Sequence, residues 1–515
     1  MKSNKLLAKS ITLGLILAMP YGVVSAEQVT VSTDTTYVDG AYTDKDGVVI
    51  NSGATLSGSS DSTDMVVSGK NQYFPRSLEV RGTISTAKSL TVNGGTYVVS
   101  GGTISDIDTV TFTNTVNSHS GGGLSVSLDN RGTIENVDTL VLGGRTENRG
   151  TISVGAINKA NDGTTLDIGN QAGGKIEVTG TVNVDQLGNS GEIKAGAINL
   201  TASGNNGIHN QTGGKITAGE ITGSGYIHNS GGTIDADTID VKLDITNTNT
   251  IITDKITADS LQNDGTIKAS EDAGDNVLGE LNVRTFTNSG TLTVTNANVS
   301  ESVTNSGTLT LDKIGSEGNL VNINNKNNGN LTVNGDTYAT NFTNYGKADL
   351  NKVTVNEVNN SGTFEANDFN AISKVSNTNG GTLTVDKIGT EGNSVQLTND
   401  ENSTITVSKD VYVNNLSNYG TMNVDGTVTG YGYFSRSENA SLTADKLIAT
   451  VDGWNAIYGK VDVNNMDVNG TMGVYTDKLD VADTTNINAN LQFRAESGNS
   501  KLNNVNLNNA SLQVG

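Results

Sequence analysis

Apolar and polar residues alternate with a period of two in short runs along almost the whole chain. In the stretch GTLTV, Leu292 and Val294 fall on one side of an extended backbone and Thr291 and Thr293 on the other, as in a half-buried β-strand. β-Branched residues dominate these runs, as strands favour, and no segment carries an apolar stripe at helical spacing. The first apolar residue after each turn recurs as Ile134, Ile152, Ile176, Ile193, Ile216, Ile234, Ile251, Ile267, Leu292, Leu309, Leu331, Ala348, Phe364, Leu383, Ile405 and Met422. Weaker members follow at Leu442, Val461, Met472, Leu491 and Leu512. Most steps are 16 to 19 residues, and a second group is 22 to 25. A recurring step of about 20 residues marks a stacked-repeat architecture. One such segment is too short to bury a core alone, but it is long enough to form one coil of a parallel β-helix. Each strand then pairs with its counterparts in the coils above and below, and Val, Ile and Leu form columns in a narrow core.

The turns repeat as closely as the strands. NSGTLTV at Asn288 and NSGTLTL at Asn305 have variants at Asn130, Asn148, Asn263, Asn327, Asn344, Asn360 and Asn418. Glycine takes positive φ without steric cost and asparagine tolerates it better than most residues, so both are expected where the chain turns sharply. Equivalent asparagines in successive coils are also expected to stack as an amide ladder, with Asn130, Asn148, Asn263, Asn288, Asn305, Asn344, Asn360 and Asn418 as members.

A longer period lies over the short one. LTLDKIGSEGN at Leu309 matches LTVDKIGTEGN at Leu383, and Asp336 and Tyr338 match Asp410 and Tyr412, all 74 residues apart. Residues 309–382 and 383–456 therefore read as a duplication of four whole coils, a length that keeps the stack in register. The expected fold is an all-β, right-handed parallel β-helix (β-solenoid) of roughly 24 coils, about 115 Å long at about 4.8 Å per coil. Residues 27–80 fit the pattern poorly, contain Pro75 in KNQYFPRS, and read as an N-terminal cap and first irregular coils, because an uncapped solenoid exposes a sheet edge. The solenoid proper is expected over 81–515. Its last phrase, ASLQVG, stops in mid-pattern at Gly515, so the sequence reads as a fragment.

Composition sharpens this picture. The 515 residues include 62 Gly but only 2 Pro, and aromatics make up 4%. A globular core would use more large side chains, whereas a disordered chain would have no reason to keep the alternation. Residues 1–26 read as a signal peptide: Lys2, Lys5 and Lys9, an apolar run from Ile11 to Met19, then Pro20, Gly22 and a small-residue cleavage site at Val24, Ser25 and Ala26. The apolar run is too short for a spanning helix, and no later stretch approaches the length that one needs. The formal net charge is −22, and about −25 without the leader's lysines. Nucleic acids and anionic membranes favour basic footprints, so neither is an expected partner. The acidic surface instead keeps a long particle in solution. There is no cysteine, which excludes thiol catalysis, cysteine metal sites and disulfides.

A leader, no cysteine and a long acidic array of NSGTLTV-type coils resemble the passenger domains of Gram-negative autotransporters and the related filamentous haemagglutinin-like adhesins. The resemblance covers nearly all of residues 27–515. It implies export through the outer membrane, display at the cell surface, and a C-terminal β-barrel translocator downstream. Barrel strands of about ten residues with aromatic girdles are absent from the last hundred residues, so the translocator is expected either beyond Gly515 or as a separate secretion partner.

Candidate chemistry is sparse. His209 and His228 occur in matching phrases, GIHNQTGGKI and YIHNSGGTI, and are expected to stack one coil apart. A metal would need further ligands, and His119 is distant in sequence. Asp235, Asp237, Asp240 and Asp244 are candidate carboxylates by density alone, and glycoside cleavage needs two at a defined separation. Arg145 and Arg149 show no obvious acidic cluster beside them. No GxSxG elbow, P-loop or calcium nonapeptide occurs. The aromatic phrase GYGYFSRS supplies Tyr431, Tyr433 and Phe434, with Trp454 one coil later, as possible ligand contacts. The chain is therefore expected to be a non-catalytic surface rod, without a cofactor, acting in adhesion or cell–cell aggregation through surface receptors, glycans or itself. The alternatives are a secreted polysaccharide lyase or glycoside hydrolase on the same scaffold, and a passive coat or spacer.

Overall fold

The computed structural model describes residues 27–514 apart from 46, 69–76, 114–125, 203, 205, 270–277 and 495–498. The leader, Pro75 and His119 lie outside the described residues. Among those described, every regular element is a strand. The chain divides into two units between Asp254 and Lys255, each a parallel β-solenoid.

In the amino-terminal unit, Ile84, Ile104, Ile134, Ile152, Ile176, Ile193, Ile216, Ile234 and Ile251 are successive register partners and form one buried column. Full burial of such a side chain contributes about 1.5–3 kcal/mol, so the column is a main source of cohesion. Described residues before Leu78 already pair in parallel with later coils: Leu56 is the register partner of Ile84, and Val29 pairs with Val48 and Val48 with Leu78.

In the carboxy-terminal unit the column runs Leu292, Leu309, Leu331, Ala348, Phe364, Leu383, Ile405, Met422, Leu442, Val461 and Leu479. The weaker sequence members divide here. Leu442 and Val461 continue the column, whereas Met472, Leu491 and Leu512 form a separate one. The coils from Asn325 to Asn399 span four rungs of an amide ladder. Equivalent small antiparallel bridges occur 74 residues apart, at Ser316–Asn319 and Thr390–Asn393.

The turn phrases have a different physical basis from the one expected. The ladder asparagines are not turn residues at positive φ. Each is buried and closes a strand, two residues after an inward residue that is apolar everywhere except at Asn148, where it is Thr146. Asn130, Asn148, Asn170, Asn189, Asn210, Asn229 and Asn247 form a chain in which each Nδ2 donates to the next Oδ1 at 2.8–2.9 Å. In the other unit the chain runs Asn263, Asn288, Asn305, Asn325, Asn344, Asn360, Asn377, Asn399 and Asn418, at 2.8–3.0 Å. Left-handed asparagines occur instead in the turns, at Asn328, Asn379 and Asn402.

The glycine of the phrase is likewise not at positive φ. A Cβ on Gly362 would sit 2.1 Å from the Gly346 carbonyl oxygen, so close approach of successive coils demands glycine there. Where two glycines occur, the tasks divide: Gly213 takes φ 81°, and Gly214 abuts the Asn189 carbonyl oxygen.

Candidate functional site: a polar track on the amino-terminal unit

The strands that end in ladder asparagines turn their alternate residues outward. The positions one and three residues before each asparagine therefore form two parallel outer columns. One column runs Tyr97, Asp129, Glu147, Gly169, Gly188, His209 and His228. The other runs Arg145, Asp167 and Gln186, with Gly207 and Tyr226 continuing it. Elsewhere on the solenoid, outward positions are mostly Thr, Ser, Asn, Lys, Asp and Glu. Here arginine, glycine, histidine and tyrosine join the carboxylates on consecutive coils.

At one end the two columns and the turns that follow them enclose a cavity of about 430 Å³ lined by Thr96, Tyr97, Val126, Asp129, Arg131, Arg145, Glu147 and Arg149. Arg145 donates to Glu147 Oε1 through Nε at 2.8 Å and Nη2 at 2.5 Å. Arg149 Nη1 donates to Asp129 Oδ1 at 3.1 Å, and its Nη2 is 3.6 Å from Glu147 Oε2. Arg131 pairs with Asp129 at 3.2 Å and lies over the Tyr97 ring, 5.2 Å from its centroid. Glu147 is buried and also accepts from Gln171 Nε2 at 2.6 Å. The expectation that Arg145 and Arg149 lack acidic neighbours is thus overturned. Glu147 lies between them in sequence, and the coil register brings in Asp129.

Beyond the cavity the floor falls to bare backbone at Gly169 and Gly188. A Cβ on Gly188 would meet nothing nearer than the Ile168 carbonyl oxygen at 4.0 Å, and its φ is not left-handed. Gly188 therefore has neither of the reasons that demand glycine in the turns. Asp167 flanks this trough. Burial pushes its carboxyl above the usual range, against the opposing pull of Arg145. At the far end His209 and His228 are register partners with ring centroids 5.9 Å apart. The Tyr226 hydroxyl meets His209 Nε2, and the two rings are edge-on. Burial and the neighbouring His228 lower the His209 pKa, and Asp167 opposes them.

The track is held from behind by Asp185, which precedes Gln186 and is 1% exposed. It accepts from the Leu166 backbone N–H at 2.8 Å and from Thr201 Oγ1 at 2.6 Å, and pairs with Lys159 at 2.7 Å. Burial opposes its ionisation, but these donors outweigh burial and hold the carboxyl below the usual range.

The other sequence candidates do not converge on a site. Phe434 is fully buried, and its carbonyl oxygen accepts from Asn418 Nδ2 at the end of the ladder. It is therefore a core residue and not a ligand contact. Tyr431 is half-buried against Gly453. Tyr433 belongs to a column of stacked rings: Arg436 lies 4.3 Å from its centroid and 4.9 Å from that of Tyr419, and Tyr458 and Tyr475 are parallel at 4.5 Å. The ring faces in this column are covered by one another. Of the four aromatic candidates, Trp454, 44% exposed, presents the most open surface. Asp235 and Asp240 are outward positions of one strand, Asp237 is exposed on the same strand, and Asp244 precedes the next. No group of three or more histidine, aspartate or glutamate side chains is placed to hold a metal among the described residues.

Comparison of the chain with models of known families, with curated proteins and with solved structures finds no match.

Proposed function

We propose that this chain is an exported, surface-displayed, non-catalytic β-solenoid that acts in adhesion or cell–cell aggregation, and that it engages its target through the polar track. The observation that carries this reading is the run of arginine, glycine, histidine and tyrosine on consecutive coils of one outer face, where the repeat otherwise places mostly Thr, Ser, Asn, Lys and carboxylates. A repeat that served only as a coat or spacer has no need of that change. The leader pattern in residues 1–26 supports export, with a translocator barrel downstream or a separate secretion partner completing it. A solenoid also offers extended contact, so that many weak interactions add through multivalency. The test is adhesion and aggregation of cells carrying the full-length gene, a deletion, or the Arg149→Gln variant. Loss in the deletion strain and reduction in the variant are expected. Normal adhesion by a deletion strain whose parent displays the protein overturns the reading.

A second reading, a glycan-cleaving enzyme on the same track, is favoured by one observation: Asp167 and His209 share the trough, with their pKa values shifted in opposite directions. Release of reducing ends from polysaccharides by the purified chain distinguishes the two.

A further inference from the structure

We infer that the polar track is a binding site for an acidic glycan, with a carboxylate-bearing sugar seated in the arginine-lined cavity and the chain running over Gly169 and Gly188 toward His209. This rests on the reading of the track as the binding face and names its ligand class.

The charge distribution is the first argument. The chain carries a net −22 and only eight arginines, yet Arg131, Arg145 and Arg149 line one cavity whose only acids are Asp129 and Glu147. Counted against the acids of the cavity lining, the arginines are in excess by one, and Asp167 stands next to Arg145 just outside that lining. Arg131 Nη1, Arg145 Nη1 and Arg149 Nε have no acceptor among the described residues. Guanidinium forks match planar carboxylates. Asp129, which is less enclosed than Glu147, has acceptor capacity for a sugar hydroxyl beside them. The cavity volume lies in the range of small-ligand sites, which suits a sugar residue and not a folded domain.

The second argument is the open floor. Gly188 could carry a Cβ without strain or collision, so its glycine is explained by the space that it leaves. The trough crosses three coil steps from Glu147 to His209, about 14 Å, which calls for an extended chain rather than a single sugar. Gln186, the Tyr226 hydroxyl and the His209–His228 pair line its far end with hydrogen-bonding groups. A nucleic acid would present bases to be stacked, but Arg131 lies over the Tyr97 ring, and Tyr226 meets His209 edge-on.

The test is calorimetric titration of the purified full chain with an oligogalacturonide, monomeric galacturonate, a neutral xylo-oligosaccharide and a single-stranded oligonucleotide. The oligogalacturonide is expected to bind at least about tenfold tighter than the other three and to weaken with salt. Arg149→Gln is expected to lower its affinity about tenfold or more. Gly188→Gln, which fills the trough without touching the fold, is expected to do the same at an unchanged melting temperature while leaving galacturonate binding as it was. Equal affinity for the neutral oligosaccharide, preference for the oligonucleotide, no binding of any probe, or native affinity in the folded Gly188→Gln protein would each overturn the assignment. Failure of these titrations alongside loss of adhesion in the deletion strain overturns the ligand class alone. Normal adhesion in that strain overturns the broader function.

Discussion

A buried primary amide must satisfy two N–H donors and a carbonyl oxygen, and the ladder does so by passing each Nδ2 to the next Oδ1. Asn305 shows the interior arrangement: it donates to Asn325 at 2.9 Å and to the Gly307 carbonyl oxygen at 3.1 Å, and accepts from Asn288 at 2.9 Å. Asn130 shows the end. Its Oδ1 faces the apolar Val98 position and has no donor. Asn305→Leu leaves unpaired amide groups on both sides and is expected to cost about 2–3 kcal/mol. Asn130→Leu merely moves the unpaired oxygen to Asn148 and is expected to cost about 1 kcal/mol or less. Urea unfolding of both variants checks this, and equal losses would mean that the chain of amides does not act as a directed ladder. Asp185 gives a second residue-level expectation. Its folded pKa lies below that of the unfolded chain, near 3.9. Its ionised form therefore contributes stability above about pH 4, and that contribution fades as the pH falls through the folded value. Asp185→Asn is expected to lower the urea midpoint at pH 7 and to flatten its decline between pH 5 and pH 3.

At the scale of the strand and turn, glycine separates structural demand from functional space. Gly362→Ala drives a Cβ into the Gly346 carbonyl and is expected to cost about 2–3 kcal/mol. Gly188→Thr adds a strand-favouring side chain in open space and is expected to be neutral or to stabilise by about 0.5–1 kcal/mol. Thermal unfolding of the pair tests whether the trough is free of structural purpose. These two glycines also mark what the sequence reveals. The aliphatic columns are legible because a period of two is built into extended backbone. Applied to SVTN, the same period puts Asn305 on the side of Val303, hence inward, although the following Ser-Gly suggests a turn. An apolar residue two before asparagine also picks out Asn170, Asn210, Asn247, Asn325, Asn377 and Asn399, which the Asn-x-Gly phrase misses, besides Asn189 and Asn229, which carry that phrase. The polar track is less legible. Glu147 is visible between Arg145 and Arg149, but Asp129 joins them only through the register of coils of unequal length. Nothing local announces that Gly188 differs in purpose from Gly362.

Across a whole unit, cohesion comes from contacts between successive coils, so stability is expected to be nearly a sum of coil and nearest-neighbour terms. In the carboxy-terminal unit the backbone pairing and the amide ladder both connect a coil only to the next one along. A defect at Gly362 strains the contact between Lys347–Asn360 and Thr363–Asn377, and nothing rigid carries that strain farther than the adjoining coils. Native-state hydrogen exchange of Gly362→Ala is therefore expected to quicken most in those two strands and in Thr382–Val385. The change should diminish coil by coil and be small at Leu479–Ile487. A loss of 2–3 kcal/mol corresponds to roughly 30–150-fold faster exchange where opening is local. The same factor at Leu479–Ile487 would mean that the unit opens as one cooperative block, because only a shared unfolding event transmits a single defect undiminished across so many coils.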